Sequence, residues 1–256
     1  MKEPIVVVGI GNMGGVFSQA FLSIGHPVYP IILGMDPAAV ARELPDPLLV
    51  LVAVTEDDLH AFLETMPEVW RDRVGLLQNE ILPRDWEMHA LPHPTVIAVW
   101  FEKRKTTPPM PYFPTLAYGP HADAVVEALT ALDIPAGRIE DTEQLLYELV
   151  RKNLWIVTLQ VSGLVATGTI GEVWEQHREL CLEIAENVLD VQQALAGREL
   201  PRERLLYQLG QDFEGEPGKS TAGRSALGRL KRAVAWADQF GLEVPRLRGI
   251  LASVQG

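Results

Sequence analysis

Residues 6–15 read VVVGIGNMGG, and the fold turns on what this stretch does. Pro4 to Gly9 is a short β-branched run of the kind that forms a fully buried strand. Gly9, Gly11 and Gly14 then stand in G-x-G-x-x-G spacing, directly before a segment, Val16 to Ile24, with helical periodicity that stops at Gly25. A first glycine permits a tight turn, a second lets backbone approach a pyrophosphate, and a third allows close helix–strand packing, while the helix N-terminus attracts the anion. The bare spacing is a weak indicator; between a strand and a helix it carries more weight. Gly9, Ile10, Gly11, Asn12, Met13 and Gly14 are therefore the candidate cofactor-binding loop. Val54, ending a later strand, is a further candidate.

A second stretch, FEGEPGKSTA at 213–222, competes for the same ligand because GKST ends a phosphate-gripping loop. That loop needs a glycine five residues before Gly218 and a strand ahead of it. Here Phe213 occupies the position, the preceding segment reads as helix, and Glu214 and Glu216 would repel phosphate. The stretch is read as a solvated turn between helices.

Beyond the first turn, Pro27 to Leu33, Leu48 to Val54, Val74 to Asn79, Thr95 to Phe101 and Thr115 to Tyr118 are strand candidates, with a short run near Ile139. Thr55 begins an acidic helix start, TEDD. Strands alternating with helices predict an α/β, Rossmann-like domain over 1–141 with a largely parallel sheet. From Thr142 onward the pattern is helical only: 142–167, 169–196, 201–213, 225–240 and 245–254. An all-α domain over 142–256 is expected. No internal repeat or low-complexity segment occurs.

Composition sets further bounds. At 47% hydrophobic and 22% charged residues the chain can bury a full core. The formal net charge of −12 argues against a nucleic-acid partner, which would require clustered cations. The single cysteine, Cys181, allows neither an internal disulfide nor a cysteine-built metal site, and its apolar neighbours predict a buried, inert thiol. The initial apolar run is too short for a signal peptide, and no stretch approaches a membrane span. No membrane association and a cytoplasmic location are expected. His89 and His93 are separated by Pro92, which breaks a shared helix face, so no metal site is expected there. Lys103-Arg104-Lys105 and the arginines between Lys219 and Arg232 are read as solvated.

The choice between NAD and NADP falls about 20 residues past the glycine loop. There the chain reads LGMD, with no lysine or arginine between Lys2 and Arg42. Asp36 can accept a hydrogen bond from a ribose 2′-hydroxyl and would repel a 2′-phosphate, which favours NAD; it can equally cap the helix DPAAVAREL.

Three more stretches carry a family resemblance. VGLLQNE at 74–80 resembles the strand of ketopantoate reductases that ends Leu-Gln-Asn. RKNLWIVTLQVSGL at 151–164 resembles their long helix opening with a lysine, and GKSTAGRSALGRLKRAVAWADQFGLEVPRL at 218–247 resembles their C-terminal stretch. Order and spacing agree over nearly the whole chain, which resembles a divergent member of this superfamily, related in fold to 6-phosphogluconate dehydrogenase. The resemblance implies NAD(P)-dependent hydride transfer to a small carbonyl substrate, with Lys152 as catalytic lysine and Asn79 as substrate-positioning asparagine. It leaves a homodimer open. It also marks Ile156 and Gln160 as substrate-facing positions where the family has asparagines. Gly210 aligns with a substrate-binding serine, and Ala222 stands where the family has glutamate. These replacements argue against ketopantoate itself. They leave two rivals: a dinucleotide-binding sensor or partner without catalysis, and a reductase for an imine or apolar ketone. Read without the family, Lys152 is one half of a surface ion pair with Glu148, four residues before it, and Asn79 is a turn former.

Overall fold

The computed structural model describes residues 2–255. It divides into two compact units, Met1–Leu146 and Tyr147–Gly256, so the division falls a few residues inside the first helix of the helical region.

The first unit is built on a seven-stranded sheet in the order β2-β1-β3-β4-β5-β8-β9. Its strands are β1 (Ile5–Val8), β2 (Val28–Ile31), β3 (Leu49–Val52), β4 (Val74–Leu76), β5 (Thr95–Ala98), β8 (Thr115–Tyr118) and β9 (Ala136–Arg138). β1 to β5 run parallel. β8 joins β5 antiparallel and carries β9 parallel to itself. The largely parallel Rossmann-like sheet expected from the alternation is present. β1 and β3 are buried on both faces, as a helix-covered parallel sheet requires. Ile5, Val7, Leu49, Leu51 and Ile97 alternate onto one face. There they share a core with Val16, Phe17, Ala20 and Phe21 of α1 (Asn12–Ser23) and with Ala122, Val125, Ala128 and Leu129 of α5 (Ala122–Thr130). β2 is an edge strand, the position in which Pro30 is tolerated. The remaining helices are α2 (Pro37–Glu43), α3 (Glu56–Thr65) and α4 (Pro83–Glu87).

A two-stranded hairpin, β6 (Phe101–Glu102) with β7 (Met110–Pro111), projects after β5. The sequence pattern does not reveal it, because two-residue strands carry no periodicity.

The second unit contains α6 (Thr142–Ser162) from Tyr147 onward, α7 (Ile170–Gln176), α8 (Arg178–Ala196), α9 (Arg202–Gly215), α10 (Ala226–Phe240) and α11 (Pro245–Gln255). α8 is the hub, packing on α7, α9, α10 and α11 and burying Cys181, Ile184, Ala185, Val188 and Leu189. Burial pushes the Cys181 thiol up to about 11, which fits an inert cysteine. Two helices differ from the sequence reading. α6 stops at Ser162, short of the expected Thr167; Gly163 follows, where a Cβ would stand 2.6 Å from the Thr221 carbonyl oxygen. The expected 169–196 helix is two helices, since His177 leaves helical geometry at φ −132°, ψ 34°.

Candidate functional site

β1 pairs with β2 on one side and β3 on the other, so chain direction across the sheet reverses there. A crevice at the carboxyl ends of strands flanking such a reversal is where parallel α/β sheets take ligands. The glycine loop occupies that point. Gly9 continues the ladder, donating its N–H to the Ile31 carbonyl at 2.9 Å, then turns with φ +87°. A Cβ on Gly14 would lie 1.9 Å from the Gly9 carbonyl oxygen, so α1 can leave the strand this closely only without a side chain. Gly11 differs: a Cβ there meets nothing within 4 Å. The chain itself does not demand glycine at that position, and the space beside it stays open.

Gly11 is the N-cap of α1 and supplies no side chain to cap it, and the first turn contains no acid. The leading backbone N–H groups of α1 thus have neither an intrahelical acceptor nor a competing carboxylate. α3, which follows β3, opens instead with Glu56, Asp57 and Asp58. Of these two helix starts in the crevice, only that of α1 suits an anion, and the loop fits a diphosphate. Ile10 is exposed and Met13 packs against the core. Asn12 donates its side-chain N–H to the Lys103 carbonyl at 2.9 Å.

The ends of β3 and β4 are bound together by Gln78, a buried residue inside the LQN stretch. Its amide donates to the carbonyls of Val52 and Val54, at 2.8 and 3.1 Å. Val54 is thereby held next to Gly9, whose missing Cβ would touch the Ala53–Val54 peptide. Asn79 follows, and both its backbone N–H and its side-chain amide donate to Glu56 Oε1, at 3.0 and 3.2 Å. Asn79 is a held side chain and not a bare turn former. Glu56, read in the sequence only as part of an acidic helix start, is the group that aims it.

Asp36 is the N-cap of α2, accepting from the Ala38 N–H at 2.9 Å. It sits on an exposed loop among Ile32, Leu33 and Met35, all exposed apolar side chains. The capping role weighed from sequence is present.

In the helical unit, Lys152, Ile156 and Gln160 follow one another at i, i+4, i+8 along α6, on one face. Lys152 is only 4% exposed. Lys152 therefore does not lie on the surface, as its reading beside Glu148 had it; Glu148 is buried too and also pairs with Arg151 at 3.1 Å. Gln160 accepts from Arg229 Nε at 3.0 Å and fills the space that a Cβ on Gly223 would need. Arg229 is 5% exposed, which corrects its reading as solvated, while Arg224 is exposed as expected. α10 turns Arg229 toward α6. Gly210 is buried on α9, where a Cβ would stand 3.3 Å from the Trp174 ring; packing accounts for it. Ala222 is exposed and its N–H donates to Ser220 Oγ. Thr221 beside it is buried and bonded twice to the Gly168 carbonyl, so the GKST stretch is a pinned connection. Among the described residues no group of three or more histidine, cysteine or carboxylate side chains converges as a metal site. No described helix is long and apolar enough to cross a membrane.

No protein-family model matches the chain, and no curated sequence does. Solved structures do match over its whole length. A probable 2-dehydropantoate 2-reductase from Bacillus subtilis superimposes with a TM-score of 0.70 at 14% identity, covering 98% of this chain and 99% of its own. A 2-dehydropantoate 2-reductase from Methylococcus capsulatus gives 0.71 at 15% identity, covering 98% and 96%. A D-mandelate dehydrogenase in complex with NADH gives 0.69 at 12%, covering 98% and 97%. The chain thus has a two-part fold of the Rossmann-plus-helical type. That fold is the one found in ketopantoate reductases.

Proposed function

We propose that this chain is a divergent relative of the ketopantoate reductases, an oxidoreductase that uses a nicotinamide dinucleotide to reduce, or in reverse to oxidise, a small carbonyl–alcohol pair. The observation that carries the reading is the open space at Gly11, at the head of an uncapped, acid-free helix start. A side chain there would stand where a pyrophosphate must approach the backbone. The match to a D-mandelate dehydrogenase solved with NADH supports the same cofactor class. NAD is proposed over NADP, because the β2–α2 loop itself carries no cation and brings Asp36, whose carboxylate faces the Arg42 guanidinium of α2 at 4.0 Å.

A bound nicotinamide would supply the hydride equivalent; the protein's part is to bind, orient and manage the proton. Negative charge grows on a carbonyl oxygen as its carbon is reduced. The Lys152 ammonium is the proposed group that stabilises this charge and delivers the proton. Asn79 is the proposed orienting group: Glu56 takes one of its side-chain N–H donors, which leaves a second for the oxygen. Val54, Gln78 and the glycine loop form the support on which the cofactor would rest.

A second reading, a dinucleotide-binding protein without turnover, is favoured by Ile156, Gly210 and Ala222, which offer no polar side chain where the resemblance places one. Gln160 commits only its Oε1, which accepts from Arg229 Nε, while its Nε2 packs against Gly223. The experiment that separates the two is a turnover assay over a panel of 2-oxo acids, ketones and imines, run beside NADH titration by fluorescence. Lys152→Ala is expected to leave NADH affinity nearly unchanged and to lower turnover by roughly 10²–10⁴-fold. Binding without turnover of any panel member would select the sensor reading.

A further inference from the structure

We propose that the tip of the β6–β7 hairpin, through Lys103 and Lys105, is a cationic clamp for the phosphates of the dinucleotide. The inference rests on the cofactor reading above and assigns residues outside the glycine loop to it. Lys103-Arg104-Lys105 is the only run of three consecutive cations in a chain of net charge −12. The run is solvated as expected, with Arg104 and Lys105 exposed and Lys103 half-buried. The root of the hairpin, however, is fastened to α1 at two points. Phe101 packs against Phe17 of α1 with ring centroids 6.1 Å apart. The Lys103 carbonyl accepts from Asn12, the first residue of α1, at 2.9 Å. The backbone that carries these cations is thereby held beside the helix start that suits an anion.

The charges within the tip are not all neutralised. Arg104 pairs with Glu102 at 2.6 Å, and Glu102 also bonds the Tyr112 hydroxyl. Lys103 Nζ donates to the carbonyls of Arg104 and Thr107, both at 2.6 Å, which closes the loop on itself. Carbonyls orient an ammonium without cancelling its charge, and its third N–H remains for an oxygen ligand. Lys105 is exposed at the turn. The β2–α2 loop, the usual second source of positive charge in such folds, has none. The hairpin therefore supplies what the glycine loop lacks: full cationic charge against a diphosphate that backbone amides hold only by partial charges.

The test is NADH and NADPH titration of the full chain by fluorescence, at about 50 mM and about 500 mM salt. Lys103→Gln/Lys105→Gln is expected to weaken NADH binding roughly tenfold at low salt, with the gap to wild type narrowing at high salt as exposed charges are screened. Asn12→Ala, which changes no charge but frees the hairpin, is expected to weaken binding severalfold. Combined with the lysine changes it should add less than its own effect, because both act on one device. Lys231→Gln, a charge change in the helical unit, serves as the control for net charge. Wild-type binding with an unchanged dissociation constant in the lysine double variant overturns the clamp and leaves the cofactor reading standing. If wild type binds neither dinucleotide, both fall. A circular dichroism melt matching wild type keeps a weakened variant from being a misfolded one.

Discussion

Gly11 and Gly14 look alike in the sequence and do opposite work. At Gly14 a methyl group would meet the Gly9 carbonyl oxygen at 1.9 Å. Gly14→Ala should therefore damage the fold itself, by about 1–3 kcal/mol or more, read as a lowered Tm. At Gly11 a side chain has open space, so Gly11→Val should leave the circular dichroism spectrum and Tm nearly intact while abolishing NADH fluorescence enhancement. Equal NADH affinity in Gly11→Val would remove the observation on which the proposed function stands. Asp36 is a residue with two offices. Asp36→Ala should cost about 0.5–2 kcal/mol through loss of the α2 cap. In the same variant the ratio of NADH to NADPH affinity should fall; an unchanged ratio would assign Asp36 to capping alone.

At the scale of elements, α6 and α9 are joined by Arg151 and Asp212. The guanidinium grips the carboxylate through two bonds of 2.8 and 2.9 Å, and Gln208 adds a third at 2.8 Å. Asp212 is nearly fully buried. Asp212→Ala removes three hydrogen bonds but leaves Arg151 its pair with Glu148, so it should destabilise by roughly 1–3 kcal/mol. Asp212→Asn, which keeps the shape and part of the bonding, should cost less; chemical denaturation of both variants measures the difference.

α3 and the segment after α4 are linked by His60 and His89, whose facing ring nitrogens are 2.8 Å apart. One nitrogen of that contact must carry a lone pair, so both rings cannot be protonated there. Asp85 lies 3.7 Å from the far nitrogen of His60, with Arg71, Arg84 and Glu64 nearby. Burial, and then His60, lower the His89 pKa below 6.5. Burial and Arg73 do the same to His121. A depressed histidine takes up its proton more readily once unfolded. Its contribution is thus complete above about pH 6.5 and lost as pH falls through the folded value. Asp85 and Glu148, raised by burial, act in the opposite sense, nearer the carboxylate range. Tm should decline on acidification from about pH 7.5 to about pH 5.5, and His89→Gln should flatten that slope. A slope identical to wild type would place the pH sensitivity elsewhere.

On the scale of the whole molecule, the fold is shared with ketopantoate reductases at full length while identity is 14–15% with two of them. Fold carries over at such distance; substrate does not. Besides Asn79, the resemblance assigns four polar positions to substrate: three are occupied by Ile156, Gly210 and Ala222, and at the fourth the Gln160 oxygen is tied to Arg229. Polar groups of a substrate left without partners cost about 1–3 kcal/mol each. Ketopantoate turnover should accordingly fall orders of magnitude below that of a carbonyl compound matched to this site. A ketopantoate rate equal to the best of the panel would show that other residues hold its hydroxyl and carboxylate.

The α/β pattern followed by helices, the glycine loop and the lysine-bearing helix were legible in the sequence because they rest on local periodicity and on steric rules with a range of a few residues. β1 and β3 announce themselves as unbroken apolar runs, and the G-x-G-x-x-G turn is a constraint confined to one loop. What only the tertiary structure decided is which side chains from distant segments meet. Glu56 takes hold of Asn79 across 23 positions, Arg229 reaches Gln160 across 69, and Lys103 is fastened to Asn12 across 91. None of these pairs leaves a periodic trace: the acidic helix start and the exposed cationic loop are present as read, but their partners are not legible, and Arg229, read as solvated, is buried. Burial is likewise a property of the packed neighbours, which is why Lys152, ordinary by its place in the sequence, is found withdrawn from solvent.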